Sequence, residues 1–213
     1  MSHLALHVCC APCMILPLEE LLKEYDRVTV VYANSNIHPQ SEYELRRNFA
    51  AQFAREMGAE FVELPYAPTT WFAAIEGLES RCEGCYELRL GAVAQWAADN
   101  DVQAMTSVLT ISPYQNHEAI HACGRRACER VGITYLPKTF VAYYPQSVER
   151  SRSAGIYRQK YCGCVYSLEE SLAQQRASEQ RKNEVAAQKA QRRAEAEANK
   201  KKKQAKKEHD RAH

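Results

Sequence analysis

Three tight groups of cysteine hold most of the chemistry this sequence could perform: Cys9-Cys10-Ala11-Pro12-Cys13, Cys82-Glu83-Gly84-Cys85 and Cys162-Gly163-Cys164. Thiolates are soft ligands for zinc and for iron–sulfur clusters, and a C-x-x-C spacing lets two sulfurs converge on one centre. Four thiols, Cys9, Cys10, Cys82 and Cys85, could form an all-thiolate tetrahedral zinc site. Side-by-side ligands such as Cys9-Cys10 suit the wider corners of a [4Fe–4S] cluster better than a zinc knuckle, and spacing leaves both metals open. Gly84 would allow the second group a tight turn. The one-residue gap of Cys162-Gly163-Cys164 could close a small, strained and therefore labile disulfide, or offer a ligand pair to a second metal. Cys123 and Cys128, five apart on a predicted helix, read as packing thiols.

Other candidates flank these groups. His7 lies two residues before Cys9 and reads first as a hydrogen-bonded core histidine. His38, in Asn36-Ile37-His38-Pro39, follows a strand directly and is a candidate substrate contact. Asn116-His117-Glu118 has the look of a helix cap. In Ile156-Tyr157-Arg158-Gln159-Lys160-Tyr161, Arg158 and Lys160 could meet phosphates while Tyr157 stacks on an exposed base, as recognition of looped RNA requires. On an exposed helix face, the same residues would simply bury two tyrosines.

The elements that must position these residues alternate. Apolar runs at Leu4–Val8, Arg27–Ala33, Glu60–Leu64 and Ala104–Leu109 read as strands. Helical spacing links Leu45, Phe49, Phe53 and Met57, and again Tyr86, Leu90, Val93 and Ala97; a further helix spans 116–131 up to Gly132. This alternation predicts an α/β fold with a parallel sheet flanked by helices, whose ligands bind at the carboxyl ends of strands. Cys9 and Cys10 end the first strand, where a site is expected. Residues 1–170 hold 15 Lys/Arg against 20 Asp/Glu, whereas 171–213 hold 13 against 6. We therefore expect a catalytic domain over 1–170 and a basic tail over 171–213. From Ala173 onward Val185 is the sole aliphatic residue larger than alanine, so the tail should be a solvated helix fraying into a disordered basic end at Lys200–Lys207. No stretch reaches the roughly 20 apolar residues of a membrane span, and Met1-Ser2-His3-Leu4 has no leader pattern; a cytoplasmic protein is expected.

Five segments together resemble the epoxyqueuosine reductase family of the QueH type: His7-Val8-Cys9-Cys10-Ala11-Pro12-Cys13, Asn36-Ile37-His38-Pro39, Arg81-Cys82-Glu83-Gly84-Cys85-Tyr86 with Arg89-Leu90, Ser112-Pro113-Tyr114-Gln115-Asn116, and Tyr157-Arg158-Gln159-Lys160-Tyr161-Cys162-Gly163-Cys164. The resemblance covers about residues 4–170. It implies an adenine-nucleotide α-hydrolase-like (HUP-type) fold, with the cysteine-rich turn in place of the phosphate loop. It implies reduction of epoxyqueuosine to queuosine at the tRNA wobble position, with Cys9, Cys10, Cys82 and Cys85 ligating [4Fe–4S] and Cys162 with Cys164 forming a redox-active disulfide. It allows a second iron, implies an external electron donor, and leaves the proton donor among His7, His38 and Tyr157. The chain departs from the family at Thr139-Phe140-Val141, where an Asp-Phe-Arg triplet is usual, and in a shorter segment between Trp71 and Cys82. Two other functions fit the same residues: a cluster-dependent tRNA thiolation enzyme, and a zinc-stabilised RNA-binding protein.

Overall fold

A computed structural model describes the backbone of residues 2–209 and side chains as far as residue 197. The chain divides into two units, Met1–Val165 and Tyr166–His213. In the first unit, five strands form one parallel sheet: β1 (His3–His7), β2 (Arg27–Tyr32), β3 (Glu60–Glu63), β4 (Ala104–Ser107) and β5 (Thr134–Tyr135), in the order β3-β2-β1-β4-β5. The central strand is buried from Leu4 to His7, as a parallel strand covered on both faces must be.

Helices α1 (Ala11–Glu24), α2 (Gln40–Glu56) and α6 (Tyr144–Ser153) form one packing group, with α1 against both others. Helices α3 (Pro68–Ile75), α4 (Arg81–Asp99) and α5 (His117–Val131) form the other, with α4 at its centre. Tyr86, Leu90, Val93 and Ala97 of α4 are buried, as their spacing predicts. Asn116 caps α5 by accepting from Ala119 N at 3.0 Å, and Gly132 ends it at φ 75°.

Helix α2 is rotated from the expected phase. Its buried residues are Tyr43, Arg46, Ala50 and Ala54, while Leu45 is exposed. Small alanines let the helix approach the sheet, and the larger Phe49 is displaced to its flank, where it stacks on Tyr157. Two further expectations are corrected. Cys82-Glu83-Gly84-Cys85 is the first turn of α4, and Gly84 serves close packing: a β-carbon there would lie 2.8 Å from the Ala74 carbonyl oxygen. Residues 156–164 are irregular, not an exposed helix face.

The second unit consists of α7, which begins at Val165 and runs to His209. Its side chains between 171 and 197 are almost all exposed, in keeping with a solvated helix. The backbone is helical across Lys200–Lys207, although the side chains of that run lie outside the described residues.

One packing contact fixes α5 on the sheet. A β-carbon built on Gly124 would lie 2.3 Å from the Tyr135 ring, which is itself tied to His121 Nδ1 at 3.1 Å. Gly124→Ala should therefore destabilise the chain by about 1–3 kcal/mol through overpacking, read as a lower urea midpoint. An unchanged midpoint would mean that Tyr135 can swing away freely.

Candidate active site

In this strand order the chain leaves β1 toward β2 and β3, then crosses to β4 on the opposite side. A crevice opens where the order reverses, at the carboxyl ends of β1 and β4. Cys9 follows β1, Cys10 is the N-cap of α1 and Cys13 lies in that helix's first turn. Their sulfurs converge: Cys9 to Cys10 is 3.7 Å, Cys10 to Cys13 is 2.8 Å, and all three lie within 4.8 Å of one another. The unpaired amides at the α1 N-terminus favour negative charge here. Hydrogen bonds from Cys10 and Cys13 hold the Cys9 thiol well below its usual range, against the effect of burial. Burial pushes Cys10 up, and hydrogen bonding with Cys10 and Cys9 pushes Cys13 up, so a first negative charge settles on Cys9. Gln159 Nε2 donates to this group, 3.0 Å from Cys10 Sγ and 3.6 Å from Cys13 Sγ.

The second cysteine pair sits at another helix N-terminus. Ser80 caps α4, Cys82 is exposed, and Cys85 is buried one turn further in. Arg89 follows at the next turn and is only 3% exposed. Its guanidinium reaches Asn34 Oδ1 at 2.6 Å, the Ala33 carbonyl at 3.3 Å and Cys85 Sγ at 3.9 Å. Burial works against its charge, but Cys85, Cys9 and Cys162 outweigh that penalty. Arg89 is thus a fixed cation among three cysteine groups that are far apart in sequence.

The third group is held by a second buried cation. Arg46 is 1% exposed; it donates to the Cys162 carbonyl at 2.8 Å and the Tyr161 carbonyl at 3.1 Å, and lies 5.1 Å from the Tyr161 ring centre. Glu42 accepts from Arg46 Nε at 2.7 Å and from the Tyr157 hydroxyl at 2.7 Å. Gly163 has φ 140°, and a β-carbon there would come within 3.0 Å of Ile37 and 3.3 Å of Arg46, so this loop position requires glycine. The Gly163 carbonyl accepts from His38 N at 2.8 Å, and Tyr161 donates to the His38 carbonyl. Cys162 then faces Gln115, whose Nε2 lies 3.6 Å from its sulfur and whose Oε1 is oriented by Tyr86 at 2.6 Å. Partial enclosure raises the Cys162 thiol to about 11 although its surface opens on the cleft. None of the nine cysteines is joined in a disulfide in this structure.

A cleft of about 290 Å³ joins these parts, lined among others by Cys9, Cys13, Cys162, Arg89, Gln115 and Gln159. Of the residues singled out from sequence, Cys9, Cys162 and Lys160 line it directly, and Cys85 reaches it through Arg89. His7 is fully buried, with Nδ1 2.8 Å from Ser107 Oγ and Nε2 3.4 Å from the Ala33 carbonyl. Burial, reinforced by Arg89, lowers its pKa to about 3, so it is neutral at physiological pH and is the core histidine its position suggested. His38 packs between Trp71 and Phe72, with Nδ1 on the Asn36 carbonyl at 2.8 Å. Tyr157 turns to Glu42 and Phe49, away from the cleft lining, while Arg158 borders a smaller adjoining hollow with Cys13 and Tyr144. Thr139 bonds His121 at 3.2 Å and does not line the cleft. Cys123 and Cys128 are buried in the core.

Sequence reasoning missed Cys13, Arg46, Gln115 and Gln159 as site residues. The Glu42/Arg46 spacing of four and the two glutamines inside quoted motifs were the available signals.

Fold and site define a parallel α/β protein with a thiol-lined cleft at the switch in strand order. The chain belongs to the QueH family: the family model described as "Epoxyqueuosine reductase QueH" matches residues 4–170. An epoxyqueuosine reductase QueH of Streptococcus pyogenes serotype M1 is 39% identical over 176 residues, covering 76% of this chain and 69% of that protein. The Staphylococcus aureus (strain Mu50) protein of that name is 34% identical over 178 residues, covering 76% and 74%. That of Thermotoga maritima is 30% identical over 179 residues, covering 79% and 91%.

Replacing Arg46 should release the Cys-Gly-Cys loop. Arg46→Met leaves Glu42 buried without its cation and should cost about 3–5 kcal/mol. It should also speed alkylation of Cys162 and Cys164, read by mass spectrometry of the tryptic peptide 161–176 from native protein. Equal alkylation rates in wild type and variant, both folded, would mean that the loop holds itself.

Proposed function

We propose that the chain reduces epoxyqueuosine to queuosine in the wobble position of tRNA, in the cytoplasm. The observation that carries this reading is the convergence of Cys9, Cys13 and Cys162 on one cleft, with Arg89 tying Cys85 to it. Family membership supplies the substrate, and the cleft supplies the chemistry.

Epoxide plus two electrons and two protons gives alkene plus water. The dithiol of Cys162 and Cys164 releases both electrons and both protons on closing to a disulfide, which an external donor must then reopen. Cys162, held protonated by enclosure at neutral pH, brings its own proton to the cleft. His7 is buried and neutral and has no acidic proton to give; the Tyr157 hydroxyl is committed to Glu42. What supports an iron–sulfur centre is the chemistry of the donors: Cys9 and Cys10 precede one helix, Cys82 and Cys85 lie at the head of another, and Arg89 is a buried counter-charge. In this reading Cys9, Cys10, Cys82 and Cys85 hold a [4Fe–4S] cluster, which when bound would pass single electrons and offer Lewis-acidic iron to the epoxide oxygen. For a second iron, Cys13 is the available donor near Cys10, since Thr139 is engaged by His121.

The convergence of Cys9, Cys10 and Cys13 within 4.8 Å also suits a zinc site in an RNA-binding protein. Anaerobically purified protein separates the two: brown with visible absorption for iron–sulfur, colourless for zinc. A thiolation enzyme would need a nucleotide phosphate loop after β1, where this chain has Cys9-Cys10-Ala11-Pro12-Cys13. Nucleoside mass spectrometry of tRNA from cells lacking the protein tests the activity. Accumulated epoxyqueuosine supports it, and unchanged queuosine overturns it.

Two variant sets follow. Cys9→Ala, Cys10→Ala, Cys82→Ala and Cys85→Ala should each lose most bound iron, because each removes an anionic soft ligand. Cys162→Ser and Cys164→Ser should keep the iron and lose turnover; iron loss in both would move that pair to the ligand set. Truncation after residue 170 should leave iron content intact and weaken tRNA binding at low salt, with the difference vanishing as salt rises. Equal binding at every salt concentration would leave the tail without a role in RNA affinity.

A further inference from the structure

Tyr114 is 82% exposed, the most exposed large apolar or aromatic side chain among the described core-sized residues. Exposure of a single aromatic is ordinary, but this one stands on the wall of the thiol-lined cleft, beside Lys160, Tyr144 and Gln115. The turn carrying it is braced. Ser112 Oγ accepts from Tyr114 N at 3.3 Å, its carbonyl accepts from Gln115 N at 3.4 Å, and that carbonyl also meets His117 Nε2 at 2.8 Å. Pro113 further stiffens the backbone. Tyr144 meets the ring edge-to-face at 6.2 Å. The ring is therefore presented to solvent from a braced turn, with its edge-to-face contact on Tyr144.

The next residue, Gln115, contacts Cys162 Sγ. A ring stacked on Tyr114 therefore lies at the cleft that Cys162 lines. Lys160, two residues before Cys162, adds positive charge to the same wall. A flat π surface beside a cation, at the mouth of a cleft of about 290 Å³, is the pairing that grips an unstacked nucleobase and its phosphate.

We propose that Tyr114 is the stacking platform for a nucleobase of the RNA substrate, either the reacting base or its immediate neighbour, and so sets which nucleotide enters the cleft. This rests on the reading of the substrate as tRNA. Its test is binding of a tRNA anticodon stem-loop to the full chain, measured with wild type, Tyr114→Ala, Tyr114→Trp and Lys160→Ala, alongside each variant's thermal midpoint. Because the side chain is exposed, all four proteins should melt together. Base stacking of this kind changes affinity by about 10-fold or more on alanine substitution. Tyr114→Ala should weaken binding by about that factor, with a slope against log salt equal to that of wild type, because no charge is lost. Tyr114→Trp should restore binding. Lys160→Ala should weaken binding mainly at low salt and flatten the slope. Wild-type and Tyr114→Ala affinities that agree within error would overturn the platform while leaving the tRNA reading intact. Failure of wild type to bind the stem-loop would overturn the tRNA reading itself. If Tyr114→Ala binds RNA normally but is re-reduced more slowly by a protein electron donor, the ring is a docking point for that donor and the proposal is wrong.

Discussion

A buried guanidinium on α2 decides where the Cys-Gly-Cys loop stands. Arg46 is one of the largest fully buried side chains, and a lone charge there would be prohibitively costly. Its cost is offset by Glu42 on one side and two loop carbonyls on the other. Those carbonyls belong to Tyr161 and Cys162, so satisfying the arginine and placing the third cysteine group are one event. Gly163 completes the arrangement, since a side chain at that position would collide with Ile37 and with Arg46 itself.

The second organising element is the use of helix N-termini. Two of the three cysteine groups sit at the heads of α1 and α4, where backbone amides lack intrahelical partners. Arg89, rooted in α4, brings its positive charge between them and is anchored by Asn34, which in turn holds the Val8 carbonyl at 2.8 Å. The charge pattern that a cluster of anionic sulfurs needs is therefore built into the sheet edge by residues from β1, the loop after β2, and α4. Glutamines finish the site: Gln159 addresses Cys10 and Cys13, Gln115 addresses Cys162.

The fold class, four of the five strands and the grouping of the cysteines were legible in the sequence, because apolar runs and cysteine spacing are local signals; the two-residue β5 was too short to leave one. The α2 phase was not legible. Large apolar residues at Leu45, Phe49, Phe53 and Met57 outweighed Ala50 and Ala54 in the sequence pattern, yet close helix–sheet packing selected the alanines. Arg46 was not singled out: Glu42 four residues earlier was its one local signal, and the two loop carbonyls it holds lie more than a hundred residues away. Tyr157 illustrates the converse. Its neighbours Arg158 and Lys160 suggested an RNA-facing aromatic, but Glu42 captures its hydroxyl and Phe49 its ring. Tyr114, inside a motif the sequence had already marked, occupies the open position instead.

The central claim is that the dithiol of Cys162 and Cys164 supplies the electron pair that removes the epoxide oxygen. It is tested most directly by a single turnover under anaerobic conditions, with iron-replete enzyme, excess tRNA bearing epoxyqueuosine and no added reductant. Queuosine formed and the redox state of the peptide 161–176 would be measured on the same sample. The account requires that each queuosine be matched by one new Cys162–Cys164 disulfide. Queuosine accumulating while both cysteines remain thiols would contradict it.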